Sequence, residues 1–79
     1  MTKSELIERF INESINPMAY SFDKGKWGDE YVLSNPSLGV WEVSYFERGH
    51  YNLLKRSNLQ SEACEYFYQV VKKYSDMFT

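Results

Sequence analysis

A chain of 79 residues makes one domain, and one this short buries only roughly 60% of the surface its unfolded form exposes. Nine basic against eleven acidic side chains leave a net charge of −2, which argues against a sequence-independent grip on phosphates. A single cysteine, Cys64, excludes an intrachain disulfide and a zinc site built from clustered cysteines. The core is therefore expected to come from large rings. Seven Tyr, five Phe and two Trp make up 18% of the chain, and each buried ring removes on the order of 150–250 Å² from water.

The first element reads as a helix. Leu6, Ile7, Phe10, Ile11 and Ile15 recur at helical spacing, with Glu5, Glu8, Arg9, Asn12 and Glu13 around them. Thr2 and Glu5 have the spacing of a capping box, and Asn16-Pro17 is expected to end the helix. From Met18 to Arg56 the pattern turns to short alternating runs. Ala19 to Asp23 is a possible first strand, followed by a turn at Asp23-Lys24-Gly25-Lys26. Glu30 to Ser34 reads as a strand, Asn35 to Gly39 as a loop, and Val40 to Phe46 as the clearest strand. Glu47-Arg48-Gly49 is a tight connection into a last strand, His50 to Lys55.

The chain closes on a second helix with Leu59, Ala63, Phe67, Val70, Val71 and Tyr74 on one stripe. Ser57, Asn58 and Ser61 are all candidates to cap it, and Ser75 to Thr79 is expected to fray. The expected fold is thus α+β: an N-terminal helix, a three- to four-stranded antiparallel sheet and a C-terminal helix. Both helices lie on one sheet face, and residues 1–79 form a single domain.

Alternation sends Trp41, Val43 and Tyr45 toward the helices, with Tyr31, Leu33, Tyr51 and Leu53. The opposite face is then expected to expose Val32, Phe46 and Leu54 among Glu30, Glu42, His50 and Arg56, the composition of a recognition patch. Signals for chemistry are sparse. His50 is the only histidine and has no spaced partner. Cys64 is flanked by Glu62 and Glu65, which oppose a thiolate, so it reads as a small buried hydrophobe. No phosphate-binding glycine motif or nucleophile elbow occurs, and neither an enzymatic role nor a cofactor or metal is expected. The element order also matches a double-stranded-RNA-binding domain, but Asn58 to Ala63 is neutral to acidic where such domains place lysines. No apolar run suits an export signal or a membrane span, so a cytoplasmic location is the expectation.

Two segments carry a resemblance. Trp41-Glu42-Val43-Ser44-Tyr45-Phe46-Glu47-Arg48-Gly49 and, further on, Ser61-Glu62-Ala63-Cys64-Glu65-Tyr66-Phe67 resemble small bacterial immunity proteins of polymorphic-toxin and contact-dependent growth inhibition systems. In those, a strand of the type W-x-V-x-Y-x-E-R-G leads through a short strand into a helix of this kind. The likeness spans roughly Tyr31 to Val71; Asn58-Leu59-Gln60 is less acidic and Asn52-Leu53-Leu54 more apolar than the pattern. It implies an inhibitor that binds a cognate toxin domain, a nuclease such as an RNase or tRNase, and covers its active site. The expected contacts are Glu30, Glu42, Phe46, Glu47 and Arg48; Glu47 and Arg48 have the alternative of pairing with each other or fixing the turn. A generic interaction module is the alternative role. Plugging or distant inhibition, and monomer or dimer, both stay open.

Overall fold

The computed structural model describes residues 1–77. Helix α1 (Lys3–Asn12) is followed by a 3-10 turn (Pro17–Ala19) and four strands: β1 (Tyr20–Phe22), β2 (Asp29–Ser37), β3 (Val40–Glu47) and β4 (His50–Ser57). Helix α2 (Gln60–Asp76) closes the chain, so the α+β order is the expected one. Ser75 is helical and buried, and Phe78 and Thr79, where fraying was also expected, lie outside the described residues.

The capping box forms as read. Thr2 Oγ1 accepts from the Glu5 N–H and Glu5 Oε1 from the Thr2 N–H, satisfying two donors of the first turn. The end of α1 differs from the expected stop at proline. Ser14 adopts a left-handed φ of +55°, its N–H donates to Ile11 O, and the Ile15 N–H donates to Phe10 O. That is a Schellman ending, usually built on glycine. It brings Ile15 off the helix and into the core beside Phe10, while Ile11 stays 69% exposed. A serine pays in strain for that φ, so Ser14→Gly is expected to stabilise the fold by about 0.5 kcal/mol in chemical denaturation. An unchanged or lowered midpoint would count against this ending.

Both helices cover one face of the sheet. Leu6 and Phe10 of α1, Leu33 and Val43 of the sheet, and Ala63, Cys64, Phe67, Tyr68 and Val71 of α2 form one core. The α2 stripe is rotated from its expected setting: Leu59 is 60% exposed at the helix start, whereas Tyr68 and Ser75 are buried. Two long-range contacts account for the rotation. Tyr68 donates its hydroxyl proton to Glu13, whose carboxylate also meets Arg9 Nε at 2.8 Å and Lys72 Nζ at 3.6 Å. Ser75 Oγ accepts from the Asn16 N–H at 3.0 Å, tying the end of α2 to the segment after α1. None of the three capping candidates holds the α2 start by a side chain; Ser57 Oγ instead accepts from the Leu59 N–H at 3.0 Å, one residue short of the helix.

The strand order is β1-β2-β3-β4, with β2, β3 and β4 antiparallel as expected. β1 is the exception, for it pairs with β2 in parallel, Tyr20 opposite Tyr31 and Phe22 opposite Leu33. A parallel crossover ordinarily takes about a dozen residues or more, and here only residues 23–28 are available. The reversal starts at Asp23, whose φ of +72° closes a three-residue γ-turn in which the Lys24 N–H donates to Phe22 O at 2.9 Å. The chain then doubles back across the sheet face opposite the helices to enter β2.

Candidate protein interface

That returning segment decides which part of the outer sheet face is left open. Glu30 points away from the helices, as alternation requires, but it is fully buried. Its carboxylate accepts from the Lys26 N–H at 2.8 Å, the Trp27 N–H at 2.9 Å and the Gly28 N–H at 2.8 Å. Successive backbone N–H groups converging on one anion form a nest. Burial pushes the Glu30 carboxyl up, but the backbone donors of Lys26, Trp27 and Gly28 outweigh it and hold the group below its ordinary value. Glu30 is therefore not on the exposed surface expected for it; it is the anchor of residues 24–28. Val32 and Ser44, on the same face, are buried as well.

The segment is seated against the hairpin by a close approach at Gly25. A Cβ there would lie 2.1 Å from the Phe46 ring, so only glycine leaves room. The Gly25 N–H donates to Tyr51 Oη at 2.8 Å, and the Phe46 and Tyr51 rings lie 4.6 Å apart. Phe46 is thus half-buried, sharing its cover between Tyr51 and the backbone of residue 25.

The β3–β4 hairpin sets the rest of the surface. Arg48 and Gly49 form a two-residue turn with φ of +51° and +81°, the signature of a type I′ turn. It places Glu47 opposite His50, Phe46 opposite Tyr51 and Ser44 opposite Leu53. Tyr51 and Leu53 therefore lie on the outer face, not on the helix face expected for them. Beyond Ser44 the register shifts, so that Val43 faces Lys55 and Leu54 is the extra residue of a bulge. Tyr51, Leu53 and Leu54 are 52%, 53% and 44% exposed. At one end of this apolar strip Arg56 Nε donates to Glu42 Oε2 at 2.8 Å. At the other, Glu47 and Arg48 are exposed at the hairpin tip, and among the described residues they form no ion pair with each other.

Of the five expected contact residues, the structure puts Glu42 and Phe46 on the open face, leaves Glu47 and Arg48 at its tip and removes Glu30. It adds Tyr51, Leu53 and Leu54. The clue to Tyr51 and Leu53 lies in Arg48-Gly49: a two-residue turn forces Phe46 and Tyr51 opposite each other, and residues opposite each other share a face. Leu54, expected on this face, is exposed there as the extra residue of the bulge.

The remaining candidates for chemistry are accounted for locally. Cys64 is fully buried, and burial pushes its thiol up, away from thiolate reactivity. His50 sits exposed beside the hairpin tip. Lys55 and Arg56, the two cations ahead of α2, are held by Glu62 at 3.2 Å and by Glu42. On the helix face the Tyr31, Tyr45 and Tyr74 rings pack edge to face, and hydrogen bonding to Tyr74 together with burial pushes the Tyr45 hydroxyl well above its ordinary value. Among the described residues no group of three His, Cys, Asp or Glu side chains is placed to hold a metal ion, and no helix is long and apolar enough to cross a membrane. Comparison with protein-family models, with curated protein sequences and with solved structures finds no match.

Proposed function

We propose that this chain is an immunity-type inhibitor that binds a cognate toxin domain, a nuclease, through the outer face and free edge of the β3–β4 hairpin. The observation that carries the proposal is the strip of Tyr51, Leu53 and Leu54, about half exposed, on a strand that ends the sheet. An exposed edge strand bearing large apolar side chains is costly to leave in water and prone to stray pairing. It is retained where a partner covers it. Backbone groups of β4 offer strand addition, and the alternate side chains supply selectivity.

The resemblance of Trp41 to Gly49 and Ser61 to Phe67 to immunity proteins points to what the partner is. The first segment is β3 with its turn, the second the opening turns of α2. Because Glu42 is engaged by Arg56 and Glu30 is buried, affinity rests on apolar contact more than on a free acidic surface. The exposed Glu47 contributes to the rate of encounter with a basic nuclease. The ion pairs at Lys55 and Arg56 leave no free cation pair ahead of α2 for duplex RNA.

The proposal expects the preceding reading frame to encode the toxin domain, and the test is growth rescue on co-expression with that domain, together with co-purification of the two. Wild type is expected to rescue. Leu53→Asp with Leu54→Asp, two exposed side chains of the strip, is expected to lose rescue while its melting temperature stays within a few degrees. A wild-type chain that neither binds nor rescues would sink the inhibitor reading; rescue by the double variant would move the interface elsewhere.

A further inference from the structure

The opposite edge of the sheet carries a second, chemically different surface. β1 ends the sheet on that side. The Asp23 N–H donates to Leu33 O, so in the alternation of a parallel ladder Ser21 and Asp23 turn their backbone groups toward β2. Tyr20 and Phe22 turn theirs to the open edge. Phe22 O is taken by the Lys24 N–H, which leaves the Tyr20 N–H and C=O and the Phe22 N–H facing outward.

Along this edge runs a groove of about 600 Å³ lined by Tyr20, Phe22, Lys24, Gly25, Lys26 and Trp27, with no carboxylate in its lining. That volume lies within the ordinary range of ligand sites, about 300–1,000 Å³. Lys26 Nζ is 4.8 Å from the centroid of Trp27, and Lys3 Nζ is 5.0 Å from that of Phe22 at the margin. Of the nine basic side chains, Arg9, Lys55, Arg56 and Lys72 are held in ion pairs. Five are in none among the described residues: Lys24 and Lys26 line this groove and Lys3 stands at its margin, while Arg48 and Lys73 lie elsewhere. On a domain of net charge −2, that is a local reversal of sign.

We propose that the groove receives an extended acidic peptide segment of a partner protein, added as a fifth strand on β1 with its carboxylates against Lys24 and Lys26. The outward backbone groups of Tyr20 and Phe22 pair with the incoming chain, and the Trp27 and Tyr20 rings cover its apolar side chains. Lysines beside aromatic rings also suit a single-stranded nucleic acid, but a nucleic acid has no use for a free strand edge. The hairpin surface on β4 lies across the sheet, so the two sites are separable.

The probes are a short fluorescein-labelled peptide alternating Asp or Glu with Val or Ile, the same peptide with Lys in place of the acids, and oligothymidylate. Anisotropy titrations are expected to show saturable, salt-sensitive binding of the acidic peptide alone. Lys24→Glu with Lys26→Glu is expected to weaken it about tenfold or more with an unchanged thermal melt. Backbone amide resonances of Tyr20 and Phe22 should shift on binding. Equal binding of the lysine peptide, absence of saturable binding, tighter binding of oligothymidylate, indifference to the double reversal, or shifts confined to β4 would each overturn the proposal.

Discussion

Glu30→Ala is expected to release residues 24–28 from the sheet and to cost about 3 kcal/mol of folding stability. The carboxylate is fully buried and holds the N–H groups of Lys26, Trp27 and Gly28. Removing it orphans those donors at once, and the segment has few other ties, notably the Gly25 N–H to Tyr51 and the Arg48 N–H to Gly28 O at 3.3 Å. Glu30→Gln should fall between, because the amide keeps one acceptor oxygen and turns an NH₂ toward groups that can only donate. The sign of the pH dependence follows from the lowered carboxyl. A group whose folded pKa lies below its unfolded value of 4.5 contributes stability that is present above 4.5 and lost as pH falls through the folded pKa. The gap between wild type and Glu30→Gln, measured by urea denaturation, should be open at neutral pH and close below that range. A pH-independent gap, or an alanine variant as stable as wild type, would mean the nest does not hold the segment.

Phe10→Ala is expected to cost more, about 3–5 kcal/mol, out of a total that for such domains is about 5–15 kcal/mol. Phe10 is fully buried, and its ring meets Tyr20 at 4.4 Å, Phe67 at 6.0 Å and Tyr68 at 6.0 Å. It is the side chain that joins α1, β1 and α2, so the void cannot be closed by movement of one element. Ile15, packed beside it by the Schellman ending, should loosen with it. The variant is expected to melt far below wild type, or to be unfolded at ambient temperature. A loss under about 1 kcal/mol would show that the aromatic core tolerates collapse around this site.

Local rules were readable where both partners lie close in sequence. Thr2 and Glu5 form their box, and Trp41, Val43 and Tyr45 keep the helix-facing parity that their alternation announced. The features that escaped depend on distant partners or on backbone conformations that the residue type does not advertise. Ser14 and Asp23 take left-handed φ values without being glycine, so neither the α1 ending nor the γ-turn after β1 had a marker. Asp23-Lys24-Gly25-Lys26 has hairpin composition, yet it becomes part of a parallel crossover because Glu30 gathers the following N–H groups and Gly25 fits beneath Phe46.

The candidate site divides along the same line. Strand period alone puts Glu42 and Phe46 on the outer face, where the structure has them. Glu30 has the same parity, but that face is covered there by residues eight or fewer positions earlier in the chain. Composition assigns Tyr51 and Leu53 to the helix face, whereas the register that Arg48-Gly49 imposes turns them outward. The bulge at Leu54 then resets parity once more, which is why Arg56 still lands on the outer face opposite Glu42.

The most direct measurement is backbone hydrogen exchange of the chain alone and with the toxin domain that the proposed role expects the preceding reading frame to encode. Binding through the hairpin is expected to slow exchange from Phe46 to Leu54 along the outer face and edge, with α1 unchanged. Protection confined to the helices, or no protection at concentrations where the toxin is neutralised, would contradict an inhibitor that works through this surface.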